Sequence, residues 1–207
     1  YIGYTATPFA NIFIDPDTDD EMLKDDLFPR HFIKALDPPS NYVGASRVFA
    51  DSGDLKDRML KIISDYRDIL PLKHTKNRDV PELPASLLEA IRVFVLTRAI
   101  RILRGQGNRH CSMMINVSRF NDIQEKIHGH VYEYLREIKN AVTVNAGLPE
   151  TKITDQTVRS IIEDFHREFS EAGFTLSEIF GVLSEAANSI SVTTVNMRGG
   201  SLDYLRH

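Results

Sequence analysis

The feature that most constrains this chain is an alternation beginning at Cys111. Short apolar runs take turns with longer segments whose apolar residues recur at helical spacing. "CSMMINV" (111–117) is nearly continuous in apolar residues, the pattern of a strand covered on both faces. A helix is predicted at once over 119–138, with Phe120, Ile123, Ile127, Val131, Tyr134 and Ile138 on one side. "NAVTVN" (140–145) reads as a second short strand. Thr154 or Asp155 caps a helix bearing Val158, Ile161, Ile162, Phe165 and Phe169, which Gly173 ends. Thr175 and Glu178 form a capping box for a further helix with Leu176, Ile179, Phe180 and Leu183. "ISVTTVN" (190–196) reads as a third strand. Strands separated by helices imply βαβ units and a parallel sheet. The expected fold class is therefore α/β, an incomplete doubly wound parallel sheet with a helical lead-in.

The lead-in comprises two helices. One is expected over Asp54–Leu70, with Leu55, Met59, Ile62, Ile63 and Tyr66 on one side and Pro71 as its stop. After a polar, proline-bounded linker at 71–84, Ser86 is placed to cap a long helix over 86–105 that Gly105 ends. Before these, residues 1–14 read as a buried strand, a turn at Thr7-Pro8 and the short apolar "NIFI". Residues 15–52 read as a meandering connector in which "NYVGASRVF" forms a short strand or hairpin arm. The expected organisation is 1–14, the end of one domain; 15–84, a connector with one helix; and 85–207, the first part of an α/β domain. A chain that opens on Tyr1 and closes on "GGSLDYLRH" is expected to be a piece of a longer protein.

Composition excludes several classes. An apolar fraction of 42% permits a buried core. The longest apolar run, "VFVLTRAIRIL", is broken by two arginines and falls short of a membrane span. With no signal peptide legible, the expected location is cytoplasmic, with no membrane partner. A single cysteine, Cys111, rules out an internal disulfide and a cysteine-rich zinc site; it reads as a small core residue. The net charge of −4 argues against a protein that coats nucleic acid generally.

Charge is nonetheless uneven. "DPDTDDEMLKDD" (15–26) holds seven acids and one lysine, most simply a solvated loop. Its spacing fits neither a calcium loop, which needs glycine where Asp20 stands, nor a nuclease acid-x-lysine pair. "TRAIRILRGQGNRH" (97–110) holds four arginines and no acid. Arg98, Arg101 and Arg104 are three apart and share one arc of their helix, which is either a solvated end or a phosphate-facing patch. The junction Ser118-Arg119 is the most informative. There backbone N–H groups, a hydroxyl and a guanidinium come together where the predicted strand meets the predicted helix, an arrangement suited to phosphate. The plainer alternative makes Ser118 a helix cap and Arg119 a solvated side chain. His128 and His130 are two apart on a helix and point to different sides, so no shared metal is expected. No residues are assigned as catalytic or as metal ligands, and no Gly-x-x-x-x-Gly-Lys-Ser/Thr loop is present to cradle a nucleotide.

"YTATPFANIF" resembles the third motif of superfamily II helicases, and "CSMMINVSRFNDIQEKI" resembles the strand and helix that open a second RecA-like motor domain. Together with "VTTVNMRGGSLDY", they make the chain similar to the Z-one domain family of bacterial helicase-related proteins, which carries an endonuclease label. The resemblance implies a central fragment of an ATP-dependent DNA-acting protein in restriction or phage defence. The fragment itself would be inert as an ATPase, with ATP and magnesium bound elsewhere in the parent. It implies that Thr5 and Thr7 couple nucleotide state to DNA grip, and that Ser118 and Arg119 contact or support the nucleic-acid backbone, with Arg98, Arg101 and Arg104 as further contacts. Two alternatives stand beside it. One is a non-catalytic module whose helical lead-in and acidic loop dock partner proteins of a defence system. The other is a metal-dependent endonuclease.

Overall fold

The long apolar stripes of the sequence do form helices, and these make the core. The computed structural model describes residues 33–145 and 147–196, and the chain divides into units at 1–61 and 62–207. Within the first unit, α1 (Ala45–Phe49) and α2 (Lys56–Met59) are short. They are tied by a two-pronged Arg47–Asp54 ion pair at 2.9 and 2.5 Å. The turn between them needs Gly53, because a Cβ there would sit 2.4 Å from the Arg47 carbonyl oxygen. Residues 45–49, expected as a strand or hairpin arm, are thus helical. The helix expected over Asp54–Leu70 shrinks to α2 and a 3-10 turn at Asp65–Arg67.

The second unit is built on four helices: α3 (Ala85–Leu103), α4 (Asn121–Val144), α5 (Gln156–Glu168) and α6 (Leu176–Asn188). α3 packs on α5 and α6, and both of these also touch α4. Val95, Leu96, Ile123, Ile138, Ile161, Ile179 and Leu183 are essentially sealed from water. Each such side chain contributes on the order of 1.5–3 kcal/mol relative to an exposed one. Leu70, Val80 and Leu83 from the preceding loop close the core's flank.

The helix ends are set by specific hydrogen bonds. Asp155 accepts from the Val158 N–H at the start of α5. Thr175 and Glu178 form the expected capping box of α6. At the end of α3, Gly105 (φ 71°) closes a pair of hydrogen bonds, its own N–H to Ile102 and that of Gln106 to Arg101. The start of α3 differs from expectation. Ser86 does not cap; the Asp65 carboxylate, twenty-one residues upstream, accepts from both the N–H (2.8 Å) and the hydroxyl (2.7 Å) of Ser86. Those bonds hold the Asp65 carboxyl below its ordinary pKa, the backbone N–H contributing most. A depressed carboxyl pKa adds stability above the ordinary aspartate range and loses it as pH falls through the lowered value. Asp65→Ala is therefore expected to lower the melting temperature at pH 7. The gap to the unsubstituted protein should narrow as pH drops below about 4, which a pH series of thermal melts measures.

The doubly wound parallel sheet expected from the sequence is not found among the described residues. Among the described residues no two strands pair. "NAVTVN" is not a strand but the last turns of α4, because Leu135, Ile138 and Val142 continue that helix's buried stripe without a break. Residues 111–117 and 190–195 are neither helical nor paired as strands, and they lie against the helical core with the every-second-residue exposure of an extended chain. In both, exposure alternates residue by residue: Met113, Ile115, Val117, Ile190 and Val192 pack on the core, while Met114 and Val195 point outward. Neither segment is covered on both faces as a central strand would be. The predicted strand of 1–14 lies outside the described residues.

A buried charge network joins three helices. Asp164 of α5, 2% exposed, accepts from Arg92 Nε of α3 at 2.6 Å and from Arg167 at 2.5 Å. Arg92 also donates to the Tyr134 hydroxyl of α4 at 2.7 Å, and Arg167 pairs with Glu89 of α3 at 2.9 Å. Burial works against the Arg92 charge, but its hydrogen bonds to Asp164 and Tyr134 outweigh that and hold its pKa above the ordinary value. Burial likewise pushes the Tyr134 hydroxyl up, partly offset by Arg92.

Candidate nucleic-acid interface

The junction at Ser118-Arg119 is organised by a residue that the sequence places in nothing more than a linker. His74 Nδ1 lies 2.7 Å from the Pro71 carbonyl oxygen, and His74 Nε2 lies 2.8 Å from Ser118 Oγ. A carbonyl can only accept, so in the neutral ring Nδ1 carries the hydrogen and Nε2 accepts from the Ser118 hydroxyl. The same Ser118 oxygen accepts from the Phe120 N–H at 3.1 Å, and the imidazole meets the Phe120 ring edge-on at 5.7 Å. The Gln124 side chain donates to the Ser118 carbonyl at 2.7 Å. Ser118 is therefore fully engaged within the protein. Its hydroxyl fixes the approach to α4 and docks the 71–80 loop there.

Arg119 is free of such duties. It is exposed, with its guanidinium 5.0 Å from the Phe120 ring centroid. α4 begins beside it with no side-chain cap, so the positive end of a 24-residue helix is presented there, tempered by Asp122 in the first turn. The docked loop adds Lys73 and Lys76, both exposed and flanking His74 in the chain, and Lys126 of α4 donates to the Arg78 carbonyl at 2.9 Å. Three exposed cations, Arg119, Lys73 and Lys76, thus lie on two segments that the His74–Ser118 contact joins at one helix start.

Arg98, Arg101 and Arg104 do not join it. Arg98 donates to the carbonyls of Gly107 (2.6 Å) and Arg109 (3.4 Å) and to Ser189 Oγ (3.1 Å). Arg101 donates to the His110 carbonyl at 3.1 Å, leaving its buried Nε without a partner. Arg104 reaches the Ala172 carbonyl at 3.4 Å. Arg98 and Arg101 hold loop carbonyls at the start of the extended 111–117 segment, whereas Arg119 follows its far end, about 20 Å away along the chain. Arginines three apart on a helix are a cue to one face, and the cue does not say whether that face meets solvent or a loop.

Thr5 and Thr7, and the acidic 15–26 loop, lie outside the described residues. Among the described residues no three His, Cys, Asp or Glu side chains gather as a metal-holding group. His130 Nε2 lies 2.7 Å from the Val80 carbonyl oxygen, and because a carbonyl only accepts, the ring nitrogen donates. No described helix is long and apolar enough to cross a membrane.

Among known proteins, no curated protein and no solved structure matches the chain. The Z1 domain matches over residues 86–207, from the first turn of α3 onward and across all four core helices. That span is more than half of the 207 residues, and the chain belongs to the Z1 domain family.

Proposed function

We propose that this chain is a DNA-contacting part of a helicase-like, ATP-dependent protein acting in restriction or phage defence, and that it grips the sugar-phosphate backbone at the start of α4. The observation that supports this most is Arg119: exposed and without an ion pair or hydrogen bond among the described residues, it stands beside an uncapped helix start, at the junction where the His74–Ser118 contact docks the loop that carries the exposed Lys73 and Lys76. Cations and helix-end N–H groups together suit phosphate oxygens and carry no base readout, so the contact is independent of sequence. ATP and magnesium belong to other parts of the parent protein in this reading, and the chain contributes grip rather than chemistry.

Binding of duplex and single-stranded DNA to the full-length protein across a salt series tests it. Replacing Arg119, Lys73 and Lys76 by alanine should weaken binding and flatten the dependence of log K on log salt by about 0.7–0.9 for each phosphate no longer neutralised. An unchanged slope rejects the site. Arg98→Ala should behave in the opposite sense. It should leave the salt slope alone and lower stability by about 1–3 kcal/mol, since the Gly107 and Arg109 carbonyls and Ser189 are deprived of a charged donor.

A further inference from the structure

The two extended segments run side by side in the same direction and are clasped at both ends. At their starts, Arg98 binds the Arg109 carbonyl and the Ser189 hydroxyl. At their ends, Gln124 donates to the Ser118 carbonyl at 2.7 Å and accepts from Asn196 Nδ2 at 3.0 Å. Each clasp interposes a side-chain head group and two hydrogen bonds, so the segments stand farther apart than the roughly 4.8 Å of directly paired strands. Between them is a cleft of about 780 Å³, floored by Phe94 of α3 and Val131 of α4.

Residues 111–117 and 191–195 make no backbone hydrogen bonds among the described residues. The two segments thus carry backbone N–H and C=O groups with no backbone partner among the described residues, beside an apolar floor, and such unpaired edges are a template on which an added strand can pair. Only an extended polypeptide offers donors and acceptors at the matching spacing on both of its edges while placing every second side chain on the floor. The cleft's described lining includes Arg98, Arg109, His110 and His128 and no carboxylate, so the complementary segment is acidic where it meets the Arg109 end.

We propose that this cleft is a docking site for an extended segment of a partner protein, alternately apolar and with an acidic end, which inserts between 111–117 and 190–195 and hydrogen-bonds to both. This goes beyond the DNA contact at Arg119 and uses different atoms.

The test is amide hydrogen exchange of the full-length protein with a blocked peptide probe, Asp-Asp-Thr-Val-Thr-Val-Thr-Val. A copy N-methylated at alternate residues and a deoxythymidine oligonucleotide serve as comparisons. The unmodified peptide should slow exchange of amides in both segments by about tenfold or more, and the methylated copy should not. Arg109→Ala should weaken the peptide's effect while leaving DNA affinity unchanged. Absence of protection, equal protection by the methylated peptide, or protection by the oligonucleotide in place of the peptide would each overturn the proposal. Loss of DNA binding on replacing Arg119 reads the other site, so the two can fail separately.

Discussion

Asp164→Ala should unfold this protein more readily than any other single polar substitution, by about 3–5 kcal/mol, with a fall of roughly 10 °C in melting temperature. The carboxylate is almost fully buried and is the acceptor shared by Arg92 and Arg167, from two different helices. Removing it leaves the largely buried Arg92 guanidinium with the Tyr134 hydroxyl as its remaining hydrogen-bond partner and without the carboxylate that balanced its charge. The cost comes from the stranded cation rather than from the missing attraction as such. Hence a double replacement, Arg92→Met with Asp164→Leu, should be less damaging than Asp164→Ala alone. Denaturant melts of the two variants decide it. A loss below about 1 kcal/mol for Asp164→Ala would mean that water or a neighbouring side chain relieves Arg92.

Leu96→Ala should cost about 2–5 kcal/mol. Leu96 lies at 0% exposure in α3, the helix that packs on both α5 and α6, so the vacated volume is walled by several elements that cannot all collapse into it. Met114→Ala removes a similar number of atoms from a side chain that is 87% exposed, and should change stability by less than about 0.5 kcal/mol. Thermal or urea unfolding of the pair separates burial from side-chain size.

Much of the helical framework is legible in the sequence because local periodicity and end chemistry agree. The stripes of α3, α5 and α6, the Asp155 cap and the Thr175–Glu178 box are all short-range features, and each appears where the pattern puts it. Two cues mislead toward a sheet. The first is the β-branched "AVTV", which suggests that α4 stops at Ile138. Tertiary burial of Ile138, Ala141 and Val142 overrides that preference, and their spacing continues the helix. The second is the extended character of 111–117 and 190–195, which suggests paired strands. Extension and face alternation are local, and both segments have them; the pairing of one strand with another is a long-range event that neither segment encodes by itself.

The site divides the same way. Arg119 beside a helix start can be read from adjacent letters. The role of His74 cannot, since its contact with Ser118 spans forty-four residues. Nor can the fate of Arg98, whose partners are backbone carbonyls that no side-chain pattern announces. Asp164 leaves a fainter trace: an acid three residues after Ile161, on the buried side of a strongly two-faced helix, where its charge requires partners.

The unbroken course of α4 has a mechanical consequence. Twenty-four residues of continuous helix make a strut about 36 Å long, free of proline and without a hinge at 140–145. One end bears on α6 through Thr143 and Ser184, and the other anchors Ser118 through Gln124. With no kink along its length, such a helix can carry a shift of its Thr143 end to its Asn121 end, two residues from Arg119.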